Sequence, residues 1–258
     1  MSGPQPNRPS DTALAAAAGR ELATFSRVLY ERGWMPGTSG NLSRRGDGAR
    51  RDVALITASG LAKGELTADD MVAVHAETGV GLRPGAPRPS AETVIHAAIY
   101  QATDAAAVIH VHSPHATAVA CRYADRGRPG TLPLERFELL KGLGLADPSR
   151  AEVPVFPNWP QVARIADEVA EFLKGADRPP PGLLIADHGI TVWGASLAQA
   201  RDRLECFEAI AQLITLGVPP AGGPAPRSSP ALTAPTFPGP ARAAAPTSRN
   251  GHRHDQHD

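Results

Sequence analysis

Val108-Ile109-His110-Val111-His112 is the stretch that decides the fold. It lies in an apolar run over 105–111 and is closed by Ser113-Pro114. A short apolar run rich in β-branched residues and stopped by a turn pair reads as a buried strand. Side chains alternate along a strand, so His110 and His112 share one face. Two imidazoles about 7 Å apart on one face can hold one metal ion. The alternative is a pair of half-buried, hydrogen-bonded histidines, and only the surrounding chain separates the two.

Immediately upstream, Pro89-Ser90-Ala91-Glu92 opens a helix that ends before residue 105. Ser90 is a credible cap, and Glu92 falls in the first turn, where the helix dipole favours a carboxylate. His96 shares a face with Glu92 and reads as a packed histidine. Further back, strands are expected over 53–57 and 71–75, with a capping-box start at Thr67-x-x-Asp70 between them. His75 ends the second strand and reads as structural or surface. Two small-residue segments stand out: Gly37-Thr38-Ser39-Gly40-Asn41-Leu42-Ser43 and Ala58-Ser59-Gly60. Their backbone N–H groups are free to face an anion, although plain turns use the same residues. A first helix is expected over 11–32, capped by Asp11 and stopped by Gly33.

Downstream, a helix is expected over 115–123, a loop over 126–133 and a short helix over 134–142 carrying Glu138. A strand over 153–156, flanked by prolines, reads as an edge or a bulge. An amphipathic helix follows over 161–173. The buried run 183–186 leads into Asp187-His188-Gly189, which places a histidine at a strand end, well placed to enter a site. A strand over 190–193 and a long helix over 196–216 complete the core, the latter on Leu197, Ala200, Leu204, Phe207, Ile210, Ala211 and Ile214.

The chain of 258 residues is 42% apolar, which suits one domain with tails. Its 26 basic and 26 acidic residues balance, so charge points to neither nucleic acid nor an anionic membrane. Cys121 and Cys206 are far apart and show no metal-type spacing, which favours a reducing compartment. No signal-peptide core opens the chain and no apolar run reaches the ~20 residues of a membrane span, so a cytoplasmic protein is expected. Residues 1–10 and the Pro/Ala-rich segment 219–258 are expected to be disordered, with His252, His254 and His257 in a solvated tail.

Four stretches, read together, resemble the class II aldolase/adducin-head family: Gly37 to Ser43, Thr57-Ala58-Ser59-Gly60, Pro89 to Glu92 with His96, and His110-Val111-His112 with His188-Gly189. The resemblance covers about 11–217. Arg32-Gly33-Trp34-Met35-Pro36, Glu138-Leu139-Leu140-Lys141-Gly142 and His188 to Gly194 are most similar to the family's methylthioribulose-1-phosphate dehydratase branch. The resemblance implies a three-layer α/β/α domain on a mixed, mostly antiparallel sheet, within the boundaries 11–218. It also implies a homotetramer with sites at subunit interfaces. It makes His110, His112 and His188 ligands of one Zn2+, and Thr38, Gly40, Asn41, Ser59, Gly60 and Ser90 the substrate phosphate site. Ala91 departs from the Ser-Ser-Glu of the aldolases. Glu138 matches the dehydratase acid/base position and Glu92 the aldolase base. Glu138 is favoured as the main acid/base, with Glu92 in or beside the metal shell. The implied reaction is loss of water from a sugar phosphate. A sugar-phosphate aldolase or epimerase is the nearest alternative. A non-catalytic adducin-like module is disfavoured by the three histidines, since function is argued from the site.

Overall fold

The computed structural model describes residues 11–124 and 127–220, with the backbone alone for 11–14. The His-x-His run is the centre of the molecule. Strand β4 (Ala107–Val111) is buried along its whole length. Around it stand β1 (Asn41–Arg45), β2 (Val53–Thr57), β3 (Met71–His75), β5 (Gly130–Glu135), β6 (Arg150–Phe156), β7 (Gly182–Ile185) and β8 (Gly189–Gly194). They form one eight-stranded sheet in the order β3-β2-β1-β4-β8-β7-β6-β5. Only β6 and β7 run parallel; every other neighbouring pair is antiparallel. The mixed, mostly antiparallel sheet expected from the sequence is therefore present.

Alternation along β4 sorts the core into two layers. Ala107, Ile109 and Val111 face the helices α1 (Asp11–Glu31), α3 (Pro114–Tyr123) and α5 (Leu197–Thr215), packing with Leu22, Leu29, Val119, Leu204 and Phe207. Val108 faces α2 (Thr93–Ala102) and α4 (Val162–Gly175), packing with Ile95, Ile99, Ile165 and Val169. His110 lies on this second side, toward the start of α2. The α5 positions named from helical spacing are all buried. Ser196 caps that helix by accepting a hydrogen bond from the Gln199 N–H. The Thr67–Asp70 capping box is present, on a short 3-10 turn.

Three expectations need correction. The small-residue segment before Leu42 is not wholly loop: β1 starts at Asn41, whose register partner is His110. From residue 130 the expected loop over 126–133 gives way to β5, and the expected helix over 134–142 to the end of that strand and a 3-10 turn, Glu138–Leu143. Leu132 and Leu134 alternate toward the core, so sheet pairing overrides a weak local helical preference. The strand over 153–156 is neither edge nor bulge, since β6 pairs on both sides. Pro154 faces Thr131 within this ladder, and β5 is the edge strand.

The described residues fall within one compact unit, and no helix among them is long and apolar enough to cross a membrane. The expected N-terminal segment 1–10 and the tail with His252, His254 and His257 lie outside the described residues, save Pro219 and Pro220.

Candidate active site

Four side chains converge where β4, β8 and α2 meet: Glu92, His110, His112 and His188. Their ligand atoms all lie within 4.8 Å of one another. β4 delivers His110 at its penultimate position. His112 follows just beyond the strand, where its N–H donates to the Trp34 carbonyl at 2.9 Å. His188 sits in the tight turn from β7 to β8, held by its N–H to the Ile185 carbonyl at 3.2 Å. Asp187, just before it, is in the left-handed region with φ 53°. Such a conformation is uncommon for a non-glycine residue, and it is what reverses the chain within so few residues. Gly189 is required for close approach: a Cβ there would overlap the Val111 carbonyl oxygen, pushing His188 away from His112. Glu92 occupies the N-cap position of α2.

The three imidazoles pack edge to face, with ring centroids 4.6, 4.9 and 5.1 Å apart. Glu92 Oε1 lies 2.7 Å from His188 Nε2 and 3.4 Å from His110 Nε2. Asn41 Nδ2 donates a short hydrogen bond to Glu92 Oε2, which fixes the carboxylate. His110 Nδ1 is hydrogen-bonded to Thr191 Oγ1 at 2.9 Å. Its Nε2 is buried without a hydrogen-bond partner and faces the cluster. A histidine tied at one ring nitrogen and bare at the other is the arrangement a metal ligand needs. Three imidazoles and one carboxylate without a thiolate suit a divalent cation that accepts nitrogen and oxygen. The residues present therefore fit a metal ion.

Electrostatics point the same way. Burial pushes His110 down to about 4, only partly offset by the Glu92 charge. Burial lowers His112 as well. Both imidazoles are thus neutral near pH 7, the form that binds metals. Burial alone would raise the Glu92 carboxyl. His110, His188 and the Asn41 amide outweigh it and hold Glu92 well below the usual carboxylate range. The site therefore presents an anionic carboxylate beside the neutral His110 and His112 rings.

A polar cavity of about 140 Å³ adjoins the cluster. Thr38, Ser39, Gly40, Asn41, Ala58, Ser59, Gly60, Lys63, Ser90, Glu92 and His112 line it. All six residues assigned by resemblance to a phosphate site are thus brought to one place, and the cavity runs from them to Glu92 and His112 of the cluster. Gly40 has φ 75°, and a Cβ there would meet Met35 and the His110 carbonyl. Lys63, Ser39 and Ala58 were not legible as site residues. Lys63 is the notable one, being the only cationic side chain in the lining. Its single sequence signal is a lysine followed by glycine, three residues past the Ala58-Ser59-Gly60 turn.

Supporting shells surround the cluster. His96, one helical turn after Glu92, is packed as expected. Its Nδ1 is hydrogen-bonded to Ser43 Oγ at 2.7 Å, and Ser43 Oγ to Tyr100 OH at 2.7 Å. Glu208 of α5, which had drawn no attention, is buried and caps α3. It accepts from Ser113 Oγ at 2.8 Å and from the backbone N–H groups of His115 and Ala116 at 3.0 and 2.9 Å. It thereby anchors the chain directly after His112.

Glu138 is not brought to this cluster. It opens the 3-10 turn after β5, with its side chain 81% exposed and paired only with Lys141 at 2.8 Å. The ladder explains the separation. β6 ends at Phe156, level with Ile185 and hence with the His188 turn. β5 runs back along β6 until Glu135 faces Arg150, roughly 20 Å away at strand rise. Within its own chain, Glu138 follows the end of β5 remote from the cluster.

Residues 20–215 match the family described as Class II Aldolase and Adducin N-terminal domain. The chain belongs to this family, whose class II aldolases are metal-dependent. Among curated relatives, it is 51% identical over 201 residues to a Nocardia farcinica protein named as a probable bifunctional methylthioribose-1-phosphate isomerase/methylthioribulose-1-phosphate dehydratase. That match covers 78% of this chain and 36% of the relative, so the chain spans about a third of the fused protein. It is 38% identical over 199 residues to a methylthioribulose-1-phosphate dehydratase of Leptospira biflexa, covering 76% of this chain and 95% of that one. Among solved structures, an L-fuculose 1-phosphate aldolase superposes with a TM-score of 0.65 at 25% identity, covering 85% of this chain and 94% of that chain.

Proposed function

We propose that this protein removes water from 5-methylthioribulose 1-phosphate, giving 2,3-diketo-5-methylthiopentyl 1-phosphate, as a cytoplasmic enzyme of methionine salvage. The observation that carries the reading is the Glu92–His110–His112–His188 cluster opening onto a cavity lined by small-residue loops. It stands in a chain whose full-length relatives bear that dehydratase name. His110, His112 and His188 would hold one zinc ion, with Glu92 in or beside its shell. Zinc in an open site of three imidazoles supplies Lewis-acid polarisation, which makes a proton next to the substrate carbonyl acidic.

The chain's own residues do the rest. Thr38, Gly40, Asn41, Ser59, Gly60 and Ser90 bind the phosphate and set the sugar's register against the cluster. Asn41 also orients Glu92, so substrate placement and carboxylate placement share one side chain. The C3 proton must be removed and the C4 hydroxyl must receive a proton as it leaves as water; the resulting enol then becomes the diketone. Glu138 is the proposed acid/base for these transfers, supplied by a neighbouring subunit. Its exposure and its distance from its own cluster fit a carboxylate presented outward. A closed homotetramer, with each site completed across an interface, satisfies both requirements.

The test is direct. Zinc-loaded protein incubated with methylthioribulose 1-phosphate should yield one product lighter by one water. Dihydroxyacetone phosphate and a methylthio-aldehyde would instead establish carbon–carbon cleavage and defeat this reading.

A further inference from the structure

Phosphate monoesters carry close to two negative charges near neutral pH. The loops assigned to the phosphate are uncharged, and the Glu92 carboxylate in the lining belongs to the histidine cluster rather than to an anion site. A cavity built from these parts alone would bind a dianion poorly. One cation among the described residues lines it. Lys63 is just 1% exposed, among the largest fully buried side chains in the protein. Its Nζ donates to the Thr38 and Leu61 carbonyls, each at 2.7 Å. An ammonium has three N–H donors, so two are spent on backbone oxygens and one has no protein partner. A buried charge left partly unsatisfied is costly, and proteins keep such groups where a ligand completes them. Thr38 lines the cavity, and Leu61 directly follows the lining residue Gly60. Gly64, next in sequence, is pinned by Arg27 Nε to its carbonyl at 3.4 Å. A Cβ at Gly64 would strike the Tyr30 ring, so α1 fixes the turn that carries Lys63.

We propose that Lys63 is the charge-bearing phosphate-binding residue of this cavity: its third N–H meets the substrate phosphate while the other two clamp the 38 and 61 loops in position around it. The inference rests on the sugar-phosphate reading for the identity of the ligand, but the anion site it describes can be tested without that substrate. The probe is inorganic phosphate, titrated calorimetrically into the metal-loaded full chain. Lys63→Met keeps length and removes the charge. It should weaken phosphate binding ~10–100-fold, the range of one charge-assisted hydrogen bond. Bound metal should stay unchanged, and any sugar-phosphate substrate should show a raised KM with a smaller change in kcat.

Lys63→Arg guards against mere loop collapse. It restores a cation at the same wall and should recover part of the affinity, whereas a purely structural clamp would not track charge. Equal phosphate affinity in wild type and Lys63→Met overturns the proposal, as does failure of the folded, metal-loaded wild type to bind phosphate. Lys63-dependent phosphate binding without dehydration of methylthioribulose 1-phosphate would leave this inference standing and remove the dehydratase reading. Dehydration with Lys63-independent phosphate binding would do the reverse.

Discussion

If Glu138 serves a neighbour's site, two dead variants should rescue each other. Glu138→Gln keeps the side chain's size and hydrogen bonding but cannot carry a proton. On its own chain it breaks one exposed ion pair with Lys141, so its stability cost is at most ~0.2–1 kcal/mol. Its catalytic cost is that of one missing acid/base, ~10²–10⁴-fold in kcat. His110→Ala removes a buried ring with a bare Nε2 from the cluster and should be inactive for a different reason. Mixed subunits, co-expressed or refolded together in equal amounts, form sites at random. A working site needs an intact cluster from a Glu138→Gln chain and an intact Glu138 from a His110→Ala neighbour. In a closed ring where each site borrows from one neighbour, ~25% of sites meet that condition. Dehydration should therefore rise from about 1% of the wild-type rate or less to roughly a quarter of it, a change well above assay error. Variants purified separately and mixed without exchange should stay inactive. If Glu138 acted within its own chain, no subunit of the mixture would hold both groups and the rate would not recover. That outcome, or a fully active Glu138→Gln, refutes the assignment.

Two further outcomes follow from the site's construction. His110→Ala should lose most bound metal by elemental analysis while keeping its circular-dichroism spectrum, because the ring fills a ligand position rather than the apolar core; full metal occupancy would remove His110 from the ligand set. His96 gives a pH signature: burial holds it at about 3 in the folded chain, below the ordinary imidazole value of 6.5. The unfolded state then takes up the proton first, so stability is complete above about pH 6.5 and drains as pH falls toward 3. Urea unfolding of metal-free protein at pH 7.5 and pH 5.0 should show a drop that shrinks by about 2 kcal/mol in His96→Gln; an unchanged drop would mean that His96 does not carry it.

How much of this could be read from the sequence depends on how local each signal is. The convergence of Glu92 with the three histidines was legible because three of its features are short-range. Strand alternation puts His110 and His112 on one face, a strand-end turn exposes His188, and a helix start displays Glu92. α5 declares its buried face by helical period and β4 its burial by an unbroken apolar run, whereas the layering itself was expected only from the family resemblance. What was missed depends on pairing between distant segments. β5 carries a modest apolar alternation that only its partner β6 turns into a strand. Asn41 looked like loop until its register against His110 made it the first residue of β1. Lys63 drew no reading at all, because nothing local announces that its Nζ meets the Thr38 carbonyl.

Glu138 is the instructive case. Its residue type and its neighbours Leu139 to Gly142 bear a chemical signature that a sequence displays well. Whether that chemistry meets the cluster is decided by the direction in which β5 leaves the site end of the sheet, which no motif encodes. An antiparallel hairpin necessarily returns its second end to where its first began, so any group following β5 is carried to the level of Arg150, the first residue of β6. The same hairpin that removes Glu138 from its own site leaves it exposed beyond the edge strand, the placement that the proposed assembly requires. A motif that matches an enzyme's acid/base yet lies exposed and remote within one chain is therefore not a contradiction of the chemistry. On the proposed reading it is the geometry expected when a catalytic unit needs more than one copy of the fold, and oligomerisation would then be a condition of turnover rather than an accessory of stability.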